Sequence, residues 1–371
     1  MIIDCHAHVF ENWHGACGHP SVAIHLKYLQ KNLTRPAART FRLRDGKHVE
    51  PTMLLRGAVN TWAGLNDVGF RVGPYGRLEF SHEGEEYAIQ YMPVGMQRIE
   101  APPALMIAQM TYAGIDHCVL QAGGGYGAMN DYNAFAQHQH PDRFTALLNI
   151  DEALADRADV LNEVDRAHNL LGLKGVYYAH DHSRHGYDRN LDHPAFAPFW
   201  EKIAGYGLPV FIELSATPHY DRSSYIGNLM AFDRVMRRHA SLRFVLVMGP
   251  PVAYFSRAGR WDFPPEVLAA YRRDNLLIEI MFPITWGGVW DYPYAEAQDL
   301  ICHMRDLFGA SRLVWGSDMP NVERFCTYRQ SLDYVRRYCA FFSAEEKDAV
   351  LGGNVRELLA IADRAPAQRQ R

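Results

Sequence analysis

Phe244-Val245-Leu246-Val247-Met248 is an unbroken apolar run, shorter than an ordinary helix and stopped by Gly249-Pro250-Pro251. A strand with one face in water alternates apolar and polar residues. A strand that is apolar throughout is covered on both faces, the condition of a parallel sheet wrapped in helices. The β-rich segments fall at residues 2–5, 115–121, 144–150, 173–178, 209–214, 243–248, 276–281 and 312–317, which makes eight. Between them, apolar positions recur at helical spacing over 102–113, 151–171, 194–206, 226–239 and 294–308. Several of these begin at Asp or Pro and end near Gly, as from Asp192-His193-Pro194 to Gly205 and Gly207. Eight βα units point to an α/β fold of the closed (β/α)8 barrel type rather than an open, doubly wound sheet. Residues 327–341 read as the eighth helix and 344–361 as a terminal helix sealing the structure.

A barrel of this kind accommodates all 371 residues as one decorated domain. The decoration is a stretch over residues 9–100, far longer than a normal βα loop. Within it, residues 77–91 read as a hairpin turning at Glu83-Gly84. Because the insertion leaves the C-terminal end of the first strand, it is expected to overhang the barrel mouth as a lid.

With 48% hydrophobic and 22% charged residues, 29 Gly and 20 Pro, the composition is that of a globular enzyme with a large core. A formal net charge of -4 offers no basic field for nucleic acid or anionic lipid, so neither is expected as a partner. The start, Met1-Ile2-Ile3-Asp4-Cys5-His6, is not patterned as a signal peptide, and no stretch approaches a membrane span, so a cytoplasmic location is expected. Six cysteines without CxxC spacing read as reduced thiols. The 7 Trp and 20 Tyr are compatible with a homodimer or higher homo-oligomer.

Chemistry concentrates at predicted strand ends. His6 and His8 close the first strand, and period-two alternation sends both imidazoles to one side, within reach of one ion. Asp318 follows the eighth strand and so lies at the barrel mouth beside the first; a turn residue ahead of Pro320 is the competing reading. Ile3-Asp4-Cys5-His6-Ala7-His8, Trp315-Gly316-Ser317-Asp318-Met319-Pro320 and Leu351-Gly352-Gly353-Asn354-Val355-Arg356-Glu357-Leu358-Leu359 together resemble the amidohydrolase superfamily. More narrowly, they resemble the branch that contains aminocarboxymuconate-semialdehyde decarboxylase and the resorcylate-type decarboxylases. The resemblance covers strands one and four to eight, not the insertion. It implies a divalent metal held by His6 and His8, with Asp318 binding the metal or orienting its water.

Two departures from that family pattern bear on the reaction. In the family the fifth strand ends in a metal-binding His and the sixth in a catalytic His. Here Glu213 and Met248 stand in those places. A carboxylate after an apolar run is costly to bury unless paired or coordinated, so Glu213 is either a ligand or one half of an ion pair. As a ligand it completes His6, His8, Glu213 and Asp318, a charge-neutral set for one divalent ion, Mn²⁺ being favoured over Zn²⁺. Met248 cannot exchange protons, and the candidate replacements are His180, in the His-rich run after strand four, and second His219, past strand five; a solvated loop of ordinary histidines is the competing reading of that run. Glu279 in strand seven points either inward as a partner to the site or outward to a helix cation. Arg35, Arg39, Arg42 and Arg44 offer a clamp for a substrate carboxylate, unless they are simply solvated. His14, His19 and His25 show no metal spacing.

The expected function is a metal-dependent decarboxylase, a carbon–carbon lyase acting on a small aromatic or unsaturated carboxylic acid. A metal-dependent hydrolase or hydratase of a small cyclic or unsaturated acid is the second reading. A non-catalytic ligand-binding barrel is the third.

Overall fold

A computed structural model of the chain describes residues 1–34, 39–57, 61–180, 185, 189–214 and 221–362. Eight parallel strands form its centre: Ile3–Ala7, His117–Leu120, Phe144–Ala146 continued as Leu148–Asn149, Val176–Ala179, Val210–Glu213, Phe244–Leu246, Leu276–Ile280 and Leu313–Trp315. Each pairs in parallel with the next. The circle closes where the last meets the first: Ala7 bridges Met319 in parallel, His8 N donates to Met319 O at 2.8 Å, and Asp318 N donates to His6 O at 2.9 Å. The fold is a (β/α)8 barrel, and every expected strand is present, some shortened by a residue or more at their ends.

Alternation along the strands divides the apolar residues into two sets. Ile3, Cys5, Val119, Leu147, Tyr177, Phe211, Val245, Leu277 and Val314 face the barrel interior and form one buried cluster. Their neighbours, among them Tyr178, Ile212, Leu246, Ile278 and Trp315, face outward beneath the helices in another. Both faces are covered, which is why these strands read apolar throughout. Val355 and Leu359 of the terminal helix join the interior cluster and plug its N-terminal end.

The helices after the strands are Pro103–Ala113, Asn130–Gln139, Ala158–Asn169, Ala197–Tyr206, Arg222–Arg238, Pro265–Tyr271, Ala295–Phe308 and Tyr328–Arg336. Asn130–Gln139 escapes sequence reading because its inner face is partly polar, with Asn133 and Gln137 buried. The terminal helix expected over 344–361 is broken by a π turn at Ala349–Gly353. Gly352 sits against the chain start, where a Cβ would fall 2.3 Å from Met1 O. No helix among the described residues is long and apolar enough to cross a membrane.

The insertion folds as an antiparallel sheet in the order His48–Val49, Thr40–Arg42, Glu85–Gln90, Arg77–His82, Arg71–Val72. Its hairpin turns at Glu83 (φ 50°) and Gly84 (φ 78°), both left-handed, as a two-residue turn between twisted strands requires. Phe10 and Ala101 exchange backbone hydrogen bonds at 3.0 Å and draw the two ends of the insertion together. Phe10, Trp13, Leu29, Leu78 and Phe80 of this region share one buried cluster with Ala122, Tyr126 and Met129 from the loop after the second barrel strand.

Candidate metal centre

The first strand carries an irregularity that decides where its side chains point. Asp4 pairs with Cys118 and Ala7 with Leu120, so three steps on one strand match two on the other. One extra residue shifts the phase of alternation, which is how a β-bulge re-aims side chains. Cys5 faces the interior, Ala7 faces the helices, and His6 and His8 turn together into the mouth.

Asp4 secures this arrangement from the other side. Its buried carboxylate accepts from His6 N (3.0 Å), Ser317 N (2.9 Å), the Ser317 hydroxyl and Tyr328 Oη (2.7 Å), tying the end of strand one to the end of strand eight. Burial drives the Asp4 carboxyl up to about 6 against the pull of these hydrogen bonds.

His6, His8 and Asp318 are brought together, with their ligand atoms all within 4.8 Å of one another. His8 Nε2 lies 2.8 Å from Asp318 Oδ1 and 3.2 Å from His6 Nε2, and His6 Nε2 is 3.9 Å from Asp318 Oδ1. Asp318 reaches in from a left-handed backbone (φ 62°), and Asn321 Nδ2 donates to its Oδ1 at 3.1 Å. Burial pushes the Asp318 carboxyl up, but the hydrogen bond from His8, the charge of His8 and His6 and the Asn321 amide outweigh it and hold it below its ordinary value.

The other imidazole nitrogens have partners of their own. His8 Nδ1 is 2.8 Å from Gln121 O, and His6 Nδ1 is 3.3 Å from Glu279 Oε2. A ring whose Nδ1 is held by a carbonyl or carboxylate presents Nε2 as a lone-pair donor, as a metal-ligating His does. Two imidazole nitrogens and a carboxylate oxygen suit a divalent cation, so the residues present fit such an ion.

Glu279 faces inward and is wholly enclosed. It accepts from Cys5 Sγ at 3.1 Å and from Met248 N at 2.7 Å besides its contact with His6. Gly316 makes room for it, since a Cβ there would fall 2.4 Å from Glu279 Oε1 and 2.9 Å from His6 Cβ. Burial alone would lower the His6 imidazole, but the charge and hydrogen bond of Glu279, with Asp318 and Asp4 behind them, raise its pKa to about 9. Met248 presents its backbone N–H to Glu279 from a left-handed conformation (φ 63°), so the position contributes through its main chain.

Glu213 lies outside the group of three. It points inward from the fifth strand, and its Oε2 accepts the Tyr177 hydroxyl at 2.5 Å. Burial, then the charge and hydrogen bond of Glu213, push the Tyr177 phenol well above its ordinary value. The Tyr177 ring stands edge-on to His6, centroids 6.2 Å apart. His180 is buried just past the fourth strand, where its N–H donates to Glu213 O at 2.9 Å. Tyr177 is interior and Tyr178 faces the helices, so the alternation places His180 on the helix side of the strand end. His219 and Arg35 fall outside the described residues. Arg42 and Arg44 are taken by Asp45 and Glu85, as solvated surface pairs usually are. His25 is buried between the carbonyls of Gly15 and Gly125, His19 Nε2 meets Gly124 O, and His14 pairs with Asn12.

Tyr126 and Tyr177 were not singled out by the sequence. Tyr126 stacks on His8 with centroids 4.1 Å apart and accepts from Asn321 Nδ2. Its signal was the glycine-rich run Gly123-Gly124-Gly125-Tyr126-Gly127 at the end of strand two, a loop free to approach the mouth closely. Tyr177's signal was its interior phase in strand four.

Comparison with known proteins agrees with this architecture. The family model described as Amidohydrolase matches residues 3–361. No curated protein matches the chain. Among solved structures, a 2,6-dihydroxybenzoate decarboxylase from Rhizobium is 15% identical, with a TM-score of 0.51 over 69% of this chain and 87% of that one. A probable 2-pyrone-4,6-dicarboxylic acid hydrolase from Acinetobacter baumannii with citric acid bound is 17% identical (TM-score 0.51; 70% and 90% covered). An uncharacterized TIM-barrel protein from Bordetella bronchiseptica is 20% identical (TM-score 0.50; 70% and 83% covered). At these identities the structural likenesses carry the fold, and the family model carries the kinship: the chain belongs to the amidohydrolase family and is an enzyme of that family.

Proposed function

We propose that this enzyme is a metal-dependent carboxy-lyase for a small aromatic or unsaturated carboxylic acid. The observation that carries the reading is the group formed by His6 Nε2, His8 Nε2 and Asp318 Oδ1, with the Tyr177–Glu213 pair beside it. A divalent ion, Mn²⁺ or Zn²⁺, held by His6, His8 and Asp318 would polarise the substrate carboxylate and an adjacent oxygen.

Replacing a carboxylate by hydrogen needs a proton delivered to carbon, and the sixth strand offers only Met248. Tyr177 takes that role better than His180, because its side chain faces the interior beside His6. Glu213 orients the phenol, and a proton from water restores it after transfer. In this reading Glu213 positions the proton donor rather than serving as the fourth ligand. We also read the insertion as a lid, because its buried cluster runs into Tyr126, which stacks on His8. A closed mouth would exclude water from the reacting carbon.

The test is release of labelled carbon dioxide from carboxyl-labelled hydroxybenzoates by Mn²⁺-loaded protein. Release that disappears in Asp318→Ala and falls about 100-fold or more in Tyr177→Phe with metal content unchanged is the expected result. A product that keeps all its carboxyl carbon points instead to the hydrolase or hydratase reading. That alternative is favoured by the ionised state of Asp318, a carboxylate ready to take a proton from water. Elemental analysis of Glu213→Ala separates the two roles of Glu213: lost metal makes it a ligand.

A further inference from the structure

Arg324 lies just past the eighth strand, half-buried, with its Nε donating to Asn321 O at 3.2 Å. The same Asn321 holds Asp318 Oδ1 at 3.1 Å and bonds the Tyr126 hydroxyl. One residue therefore connects this guanidinium to a candidate metal ligand and to the ring stacked on another, and the charge of Arg324 is felt at the Tyr126 phenol. Arg324 lies over two aromatic rings, 5.1 Å from the Phe325 centroid and 5.9 Å from that of Tyr91 in the insertion.

A second guanidinium arrives from the insertion. Arg39 lies 5.6 Å from the Phe325 centroid and passes so close to Gly288 that a Cβ there would fall 2.5 Å from its Nη2. Gly288 belongs to the loop after the seventh strand and Phe325 to the loop after the eighth, so Arg39 spans the mouth. Two like charges thus converge on one ring, and among the described residues neither has a carboxylate within ion-pair distance. Arg42 and Arg44, a few residues along the same insertion, are both paired. A guanidinium stacked on an aromatic ring keeps its edge N–H groups available, and that planar fork matches a carboxylate.

We propose that Arg324 and Arg39 form an anion-binding site for a second carboxylate, so that the substrate is a small cyclic diacid with one carboxylate at the metal centre and the other at the arginines. The inference rests on the metal-centred reading of the site given above. Arg324 is the primary contact, because Asn321 fixes it relative to Asp318. Arg39 supplies its charge when the insertion is seated.

The test measures binding of benzoate and of benzene-1,3-dicarboxylate to the Mn²⁺-loaded enzyme by calorimetry, in wild type, Arg324→Gln, Arg324→Lys and Arg39→Gln. The wild type is expected to bind the diacid roughly ten- to hundredfold more tightly than the monoacid, the range of charge-assisted hydrogen bonds. Arg324→Gln abolishes that preference while benzoate affinity changes less than threefold. Arg324→Lys and Arg39→Gln retain part of it. Equal affinities in the wild type, or a preference that survives in both Gln variants, overturns the proposal. Failure of the underlying reading looks different: benzoate then binds equally well without metal and in His6→Ala. Unchanged melting temperatures of the arginine variants show that a lost preference is not lost folding.

Discussion

His6 Nδ1 lies 3.3 Å from Glu279 Oε2, and this contact turns the opposite nitrogen of the ring toward His8 and Asp318. The carboxylate comes from the strand next to the last and the imidazole from the first. Barrel closure therefore builds the site as well as the fold.

Glu279→Gln is expected to lower metal affinity by roughly 10- to 100-fold, the usual cost of losing a carboxylate behind a ligating His. An amide keeps the shape but gives up the charge that favours a proton on His6 Nδ1. Competition with a chelating dye measures the loss, and an affinity within twofold of wild type would remove Glu279 from the metal's support.

Metal binding is expected to grow tighter with rising pH. With a pKa of about 9, the metal-free His6 is protonated at neutral pH, and the ion must displace that proton. Apparent affinity should gain about tenfold per pH unit up to about 9, with release of about one proton seen as a buffer-dependent heat. Linkage gives the matching sign for stability. A raised His pKa stabilises the metal-free fold fully below the unfolded value, and that contribution is lost as pH rises through about 9. Melts of metal-free protein should therefore weaken from about pH 6.5 to 9, while those of the loaded protein should not.

Gly316→Ala is expected to destabilise the fold by about 1–3 kcal/mol, the cost of an extra group in a packed interior. The added Cβ meets Glu279 Oε1 at 2.4 Å and His6 Cβ at 2.9 Å, so the backbone or the Glu279 carboxylate must move. Chemical denaturation checks the first effect and metal titration the second.

Trp13→Ala is expected to cost about 3–5 kcal/mol and to lower the midpoint of a single unfolding transition. Trp13 is wholly buried in the cluster that the insertion shares with Ala122, Tyr126 and Met129. Two separate transitions in calorimetry would show that the insertion folds independently of the barrel.

The eight strands were legible in the sequence because burial on both faces leaves a local record, an apolar run such as Val210-Phe211-Ile212 bounded by turn residues. His6, His8 and Asp318 were legible for a similar reason: each ends a strand, and the C-terminal ends of barrel strands converge. The hairpin at Glu83-Gly84 was written in its turn residues.

What the tertiary structure decided was which neighbour each polar side chain meets. The bulge between Asp4 and Ala7 exists only against the second strand, and it sets the phase that turns both imidazoles inward. Glu279 could have faced either way on paper, but inside the barrel it meets His6, Cys5 and the Met248 N–H together. Glu213 takes Tyr177 as its partner because strands four and five run in register, Ala179 opposite Glu213, a pairing between residues 34 apart in the chain. Apolar burial and turn chemistry act through near neighbours in sequence, so a single chain displays them. Hydrogen-bond partners across the barrel are separated by tens to hundreds of residues, and only closure brings them together.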